Sequence, residues 1–497
     1  MLGRWMAAAI CVAFAIVGGL QIDRIGLQTD EALFAGGIYA PFFATAHVGG
    51  HEIPLMVMQY VGAAKGWLYG ALFAVWAPSA AVIRWPMVLL AAWTLWLFYC
   101  VAARVTGGRG ALLALTVLAT DPIFLLTSRY DWGPVVIQHF CLTAGVYAFV
   151  RFGEARRNWW LALGSLLLGV GVWDKAIFVW VLVGLAAGAA AGLAGPLKRL
   201  MTIRQWAMAG AAFLLGAWPL VFYNIQNAGI TYRGNAGYSL TGLSAKVHAL
   251  WSVVDGTALY GVIARPEGER WVSWQWVLAA ATAAALPWAW KRHGRVIRFT
   301  CAYCAAGWGM MAVTEGAGVS AHHVILLWPI PHLALAAAAE AVPWRKAAAV
   351  VTGVGALANA AVCWQYYRQE ELGGGTVVWT EAIYSLPETL RAMNAERLYV
   401  ADWGFYDNSR LLTKGTLELR VVHTGVPEEV LHRMMTEPEH AGVFVRHTPG
   451  NAVQPETAAY LEKYMAANGL ARTDVRVLRD RKGRAVIELF RVRRVTG

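Results

Sequence analysis

Charge is what this 497-residue sequence lacks: Asp, Glu, Lys and Arg make up only 14% of it, against about 25% in soluble domains. That shortfall excludes an ordinary soluble enzyme and a disordered chain. Acid is scarcer than base, 30 residues against 42. The resulting net charge of +12 indicates no nucleic-acid partner, because its meaning depends on where the charges lie. Cysteine is sparse too. Cys11, Cys100, Cys141, Cys301, Cys304 and Cys363 all fall in or beside apolar stretches, which excludes a disulfide framework. Cys301-Ala-Tyr-Cys304 has metal or redox spacing but no second pair, and reads as buried cysteines of a membrane helix. A Gly-rich phosphate loop, a nucleophile elbow and a transporter-like internal repeat are all missing.

What is abundant is apolar surface. Hydrophobic residues make up 58%, with 25 tryptophans, and the mean hydropathy is +0.47. Trp concentrates at bilayer interfaces. The sequence predicts a polytopic α-helical membrane protein, since about 20 apolar residues cross a bilayer as a helix. About eleven spans are expected, near 5–21, 82–103, 110–127, 134–150, 159–173, 176–194, 206–222, 272–290, 299–314, 324–341 and 347–364. The first has no small-x-small cleavage site and reads as an uncleaved span. The stretch 53–76 reads as either an interfacial helix or a further span. Composition changes near residue 365: thirteen Asp and Glu precede it and seventeen follow. Residues 1–364 are therefore the membrane domain, and 365–497 a small soluble α/β domain. In the latter, 397–401, 442–445 and 485–490 read as strands and 455–468 as an amphipathic helix. The segment 400–405 after the first of these strands reads as a plain turn, with a groove lining as the alternative.

The charges then set an orientation. Arg104 and Arg109, then Arg151, Arg156 and Arg157, then Lys198, Arg199 and Arg204, then Lys291, Arg292, Arg295 and Arg298, and finally Arg345 and Lys346 lie between alternate spans. The positive-inside rule makes these turns cytoplasmic and, with an odd span count, puts 365–497 outside. Asp23, Asp30, Glu31, Glu52, Asp121, Asp131, Asp174, Asp255, Glu267, Glu269 and Glu315 are expected near the outer ends; Glu154 and Glu340 are the exceptions. His47 and His51 are four apart, but Gly49 and Gly50 between them argue for loop histidines rather than metal ligands. His322 and His323 are adjacent and would diverge on a helix.

The outer turns gather ionisable groups, which mark function at membrane depth. They are Asp30-Glu31 after span one, Lys65, Arg84, Arg129 with Asp131, Asp174-Lys175, and His322-His323. Such a set suits glycosyl transfer from a lipid phosphate. A carboxylate takes the proton of an acceptor hydroxyl, and cations hold the departing phosphate. Outer-face salt bridges are the plainer alternative for any one pair.

The order of these residues resembles the GT-C membrane glycosyltransferases, the protein O-mannosyltransferase and lipid A aminoarabinose transferase relatives among them. The resemblance rests on Asp30-Glu31, on Lys65-Gly66-Trp67-Leu68-Tyr69 (without the prolines of that family segment), and on Arg84-Trp85-Pro86. It continues through Gly108-Arg109-Gly110-Ala111, Ala119-Thr120-Asp121-Pro122 before Arg129, Trp173-Asp174-Lys175-Ala176, and His322-His323 running to Trp328-Pro329. It covers about 1–200 well and 315–340 loosely. It implies a GT-C-like fold and Asp30 as general base, with Glu31 and Asp131 as further catalytic carboxylates. It also implies Lys65, Arg84, Arg129, Lys175, His322 and His323 as candidates for the lipid phosphate. The expected donor is a polyprenyl-phosphate-linked sugar. The acceptor would be a glycan, lipid or protein, at the outer face of a bacterial-type inner membrane. No cofactor is certain; some such enzymes use a divalent metal ion. A transporter or flippase of a lipid-linked saccharide is the alternative, and a non-catalytic scaffold a third reading.

Overall fold

The computed structural model describes residues 1–39, 44–235, 237–263, 270–436 and 442–494. Glu267 and Glu269, and the side chains of His51, Lys198 and Arg199, lie outside the described residues. Seven described helices are long and apolar enough to cross a bilayer: Leu2–Gly19, Ala80–Val105, Val135–Ala155, Ala176–Gly195, Ile203–Gln226, Leu286–Val313 and Arg345–Gly373. Two bent pairs raise the number to nine, against the eleven expected: Gly108–Thr120 with Pro122–Arg129, bent by 58°, and Ala321–Leu327 with His332–Ala341, bent by 43°. The other expected segments are helical but short or merged. Asn158–Asp174 has 17 residues. The expected 272–290 falls on Gln275–Ala284 and on the first turns of Leu286–Val313, which leaves helical geometry at His293.

Local chemistry explains several of these boundaries. Ser79 caps Ala80–Val105 through its hydroxyl. The 58° bend has a cause in sequence: Asp121 accepts hydrogen bonds from the amides of Ile123 and Phe124, each at 2.9 Å, and Pro122 takes the first helical position, where its missing N–H costs nothing. Asp121 is also reached by Gln275 Nε2 at 2.6 Å and Trp328 Nε1 at 2.9 Å. It is fully buried at this break. Lys246, on helix Leu243–Val254, donates to the carbonyls of Ala312 and Thr314 at 2.8 and 2.7 Å. It thereby caps the C-terminal end of Leu286–Val313.

The uncertain stretch 53–76 is neither a span nor one long helix. His51–Met58 is a strand that pairs with Ala44–Val48 and Val61–Gly62, followed by helix Ala64–Phe73. Ten helical residues are too few for a bilayer of about 30 Å. The turn between the first two strands places Gly49 and Gly50 at φ +58° and +82°, the two positive values of a two-residue hairpin. His47 is thus a strand residue and not a loop one, and it pairs with exposed Glu52 at 3.3 Å. Cys301 is exposed on its helix and Cys304 half-buried, so this pair is not the enclosed one expected.

Beyond Gly373 the chain forms a five-stranded sheet in the order Glu418–Val421, Arg397–Val400, Gly442–His447, Ala485–Arg494, Leu470–Arg479. The first three are parallel and the last two antiparallel to their neighbours. Apolar clusters cover both sheet faces, one around Leu398, Val443 and Leu489, the other around Tyr399, Phe444 and Phe490. The three strands and the helix read from sequence are present; the polar strands Glu418–Val421 and Leu470–Arg479 were not anticipated. The turn after Val400 is locked by Asp402, which is buried. It accepts the amides of Trp403, Val453 and Gln454 at 2.8, 3.1 and 2.8 Å, and lies 2.8 Å from His447 Nδ1.

This C-terminal unit packs on the loop after the first helix. Gly26 donates its amide to the Trp379 carbonyl at 2.6 Å, Tyr384 its hydroxyl to Ile25 O at 2.9 Å, and Asn408 its amide to Leu27 O at 2.9 Å. Gly26 must be glycine here, because a Cβ would lie 2.1 Å from the Thr380 carbonyl oxygen.

Candidate active site

Helix Ala80–Val105 separates two charged ends. At its C-terminal end Arg104 lies 3.5 Å from Glu154, and beyond it Arg109 meets Glu340, whose carboxylate accepts the Gly110 amide at 2.7 Å. The two acids that broke the expected pattern therefore belong to the basic end and are neutralised there. At the N-terminal end lie Arg84 and the acids of the first loop.

Most charges at this second end are committed to one another. Arg84 is fully buried and grips Glu31 with two hydrogen bonds, Nε to Oε2 at 2.8 Å and Nη2 to Oε1 at 2.9 Å. Its remaining donors hold the carbonyls of Ile22 at 2.6 Å, Ile25 at 3.2 Å and Gly26 at 2.7 Å. Lys65, also fully buried, donates to Asp131 and to the Gly133 carbonyl. Tyr69 donates to the other Asp131 oxygen at 2.6 Å. Arg129 donates to the carbonyls of Gly18 at 3.0 Å and Gln21 at 2.6 Å and to Tyr367 Oη at 2.9 Å, with Glu370 at 3.8 Å. Arg84 and Arg129 brace the end of the first helix and the loop that follows it, while Lys65 and Tyr69 hold the turn at Asp131 and Gly133. Arg84, Arg129 and Lys65 were expected to face a lipid phosphate; instead they are enclosed, with these donors directed at protein oxygens. Glu31 and Asp131 are likewise enclosed as their counter-ions. The reason is local: a chain that leaves a helix at Gly19 exposes carbonyls that need donors, and fork-shaped guanidinium groups supply several at once.

A smaller set stands outside these pairs. Gly133 adopts φ +61°. A methyl placed on it would lie 3.6 Å from Asp30 Oδ2, 3.9 Å from His322 Cδ2 and 4.0 Å from Lys175 Nζ. Three of the expected site residues thus surround one point. Asp30 is half-buried, on the first turn of helix Thr29–Ala35, with its amide held by Gln28 Oε1 at 2.5 Å. Among the described residues no hydrogen bond or ion pair engages its carboxylate. Lys175 is fixed through its backbone, since Gln138 Nε2 donates to Lys175 O at 2.8 Å and Val61 bridges to it. Lys175 is itself buried, and among the described residues its ammonium makes no hydrogen bond. His322 Nδ1 lies 2.9 Å from Ser320 Oγ, and its ring tilts against Trp132 at 5.6 Å. His323 turns instead to Trp180. Asp174 sits beside this set fully buried, neither oxygen having a hydrogen-bond partner among the described residues. Among the described residues no three His, Cys, Asp or Glu could hold a metal ion.

Trp132 joins this point to a cavity of about 750 Å³. Its walls include Ser320, Ser252, His248, Tyr260 and Arg270, a mixture of hydroxyls, aromatic faces and nitrogen donors. Trp379 of the C-terminal unit packs edge-on against both Tyr130 and Trp132. Sequence reading did not find Gly133, Trp132, Trp379 or the cavity residues. The Gly133-Pro134 step was the only local signal, a turn mark, and the rest come together through tertiary packing.

Residues 63–223 match the family described as dolichyl-phosphate-mannose-protein mannosyltransferase. No curated protein matches in sequence. Among solved structures, ArnT from Cupriavidus metallidurans bound to undecaprenyl phosphate aligns with a TM-score of 0.63 at 12% identity, over 97% of both chains. The apo state of the same protein aligns with a TM-score of 0.61, at the same identity and coverage. In sequence over 63–223 and in fold over nearly its whole length, the chain resembles the GT-C membrane glycosyltransferases.

Proposed function

We propose that this protein transfers a glycosyl group from a polyprenyl-phosphate donor to an acceptor hydroxyl, with Asp30 as general base. The observation that carries the reading is the isolation of Asp30. Its neighbours Glu31 and Asp131 are locked to Arg84 and Lys65, whereas its own carboxylate is half-exposed at Gly133 with Lys175 and His322 opposite. A base must reach substrate and be free to take a proton.

The steps follow from that placement. An acceptor hydroxyl lies against Asp30, which removes its proton as the oxygen attacks the anomeric carbon. The bond from that carbon to the phosphate oxygen breaks, and its electron pair leaves on polyprenyl phosphate. Lys175 stabilises the charge on the departing phosphate. His322, held by Ser320 and Trp132, lines the same point. The cavity beyond Trp132 supplies hydroxyls and aromatic faces for a sugar, while Glu31, Arg84, Lys65, Asp131 and Arg129 keep the two loops in register. Its acceptor is a glycan, lipid or protein hydroxyl. The orientation drawn from the basic turns puts Asp30 and residues 377–494 on the outer side of an inner membrane of bacterial type.

The test is turnover in proteoliposomes with a panel of polyprenyl-phosphate sugars, read as polyprenyl phosphate released. Lys175→Met should lower kcat/KM for the donor by about 100-fold, the scale of losing one transition-state cation, and Lys175→Arg should restore part of it. Unchanged kinetics in Lys175→Met would remove the phosphate from this site.

A further inference from the structure

At the end of the molecule opposite Asp30 lies a second crevice, of about 340 Å³. Helices Gln275–Ala284, His332–Ala341 and the start of Arg345–Gly373 wall it, and Leu278, Ala281, Leu335, Ala338, Ala347 and Val351 line it. Small residues keep it open. Trp288 and Trp344 stand at its mouth, packed edge to face at 4.9 Å and both exposed. Tryptophan in that position marks the level of lipid headgroups.

The mouth is cationic. Lys291 and Arg292 follow Trp288 by three and four residues and so share its helix face. Arg345 stands three and seven residues before Ala348 and Thr352, both of which line the crevice, and Lys346 is next to it. All four are exposed, and none forms an ion pair among the described residues. The nearby acid, Glu340, is engaged by the Gly110 amide and Arg109.

We propose that this crevice binds one anionic phospholipid of the surrounding leaflet, an acyl chain between the helices and its phosphate among Lys291, Arg292 and Arg345. Charge complementarity at the mouth selects that occupant over a zwitterionic lipid. The site lies far from Asp30 and does not rest on the glycosyl-transfer reading.

The experiment is native mass spectrometry of the delipidated full-length protein titrated with phosphatidylglycerol or phosphatidylcholine. One saturable phosphatidylglycerol molecule should be retained in preference to phosphatidylcholine. Lys291→Ala and Arg345→Ala should each weaken retention about five-fold, the worth of one cation near an anionic headgroup. Ala347→Trp, an exposed position where a larger side chain is compatible with folding, should block the crevice and abolish retention. Arg157→Ala, at the same end but away from the crevice, should change nothing. Equal retention of both phospholipids, an equal loss in Arg157→Ala, or full retention in Ala347→Trp would each overturn the assignment.

Discussion

Replacing Glu31 by Gln separates a bracing role from a catalytic one. The carboxylate accepts two hydrogen bonds from Arg84, at 2.8 and 2.9 Å, with both side chains fully buried. Glutamine keeps the shape but turns an NH2 toward one guanidinium N–H and leaves the Arg84 charge uncompensated. Breaking a buried pair from one side costs about 3–5 kcal/mol. Arg84 also holds the carbonyls of Ile22, Ile25 and Gly26, so the loop leading to Asp30 should loosen with it. The assay is unfolding in lipid nanodiscs, followed in parallel with turnover. We expect Glu31→Gln to lose stability on that scale and activity along with it. A variant as stable as wild type yet inactive would refute the bracing role and place Glu31 on the substrate.

Further outcomes follow from the same geometry. Gly26→Ala should push its methyl into the Thr380 carbonyl, 2.1 Å from the ideal Cβ position, and undock the C-terminal unit; faster proteolysis of 377–494 in the intact protein would show it, and an unchanged digest would contradict it. Burial alone would raise the Asp402 carboxyl, but the His447 ring and the amides of Gln454 and Val453 outweigh it and hold the group below its ordinary value. Its stabilising contribution is therefore complete above the unfolded value of about 3.9 and disappears as acid passes through the lower folded one. Asp402→Asn should cost about 1.5–3 kcal/mol at neutral pH and flatten the acid dependence of hydrogen exchange in 397–454; a steeper dependence would count against the network.

The sequence already carried the large-scale plan. Short basic turns such as Arg345-Lys346, against acids such as Asp30, separated the two ends of the molecule, and the apolar runs in 397–401 and 485–490 marked the core of the sheet. The strand His51–Met58 was hidden because an apolar run without regular alternation fits helix and strand equally. Arg84 and Arg129 misled for a different reason. A buried arginine that satisfies loop carbonyls and one that awaits a phosphate have the same local sequence, and only the partners distinguish them. The burial of Asp121 was not legible because it depends on Gln275 and Trp328, far along the chain. The convergence on Gly133 draws on four segments, from Asp30 to His322, and no spacing rule reaches across them.

The central claim is that Asp30 removes the acceptor proton. Polyprenyl phosphate release by the reconstituted protein, compared between wild type and Asp30→Asn at matched stability, tests it most directly. The account expects the asparagine variant to fold normally, since no partner of the carboxylate is lost among the described residues, and to turn over about 10²–10⁴-fold more slowly. Turnover at the wild-type rate in Asp30→Asn would contradict it.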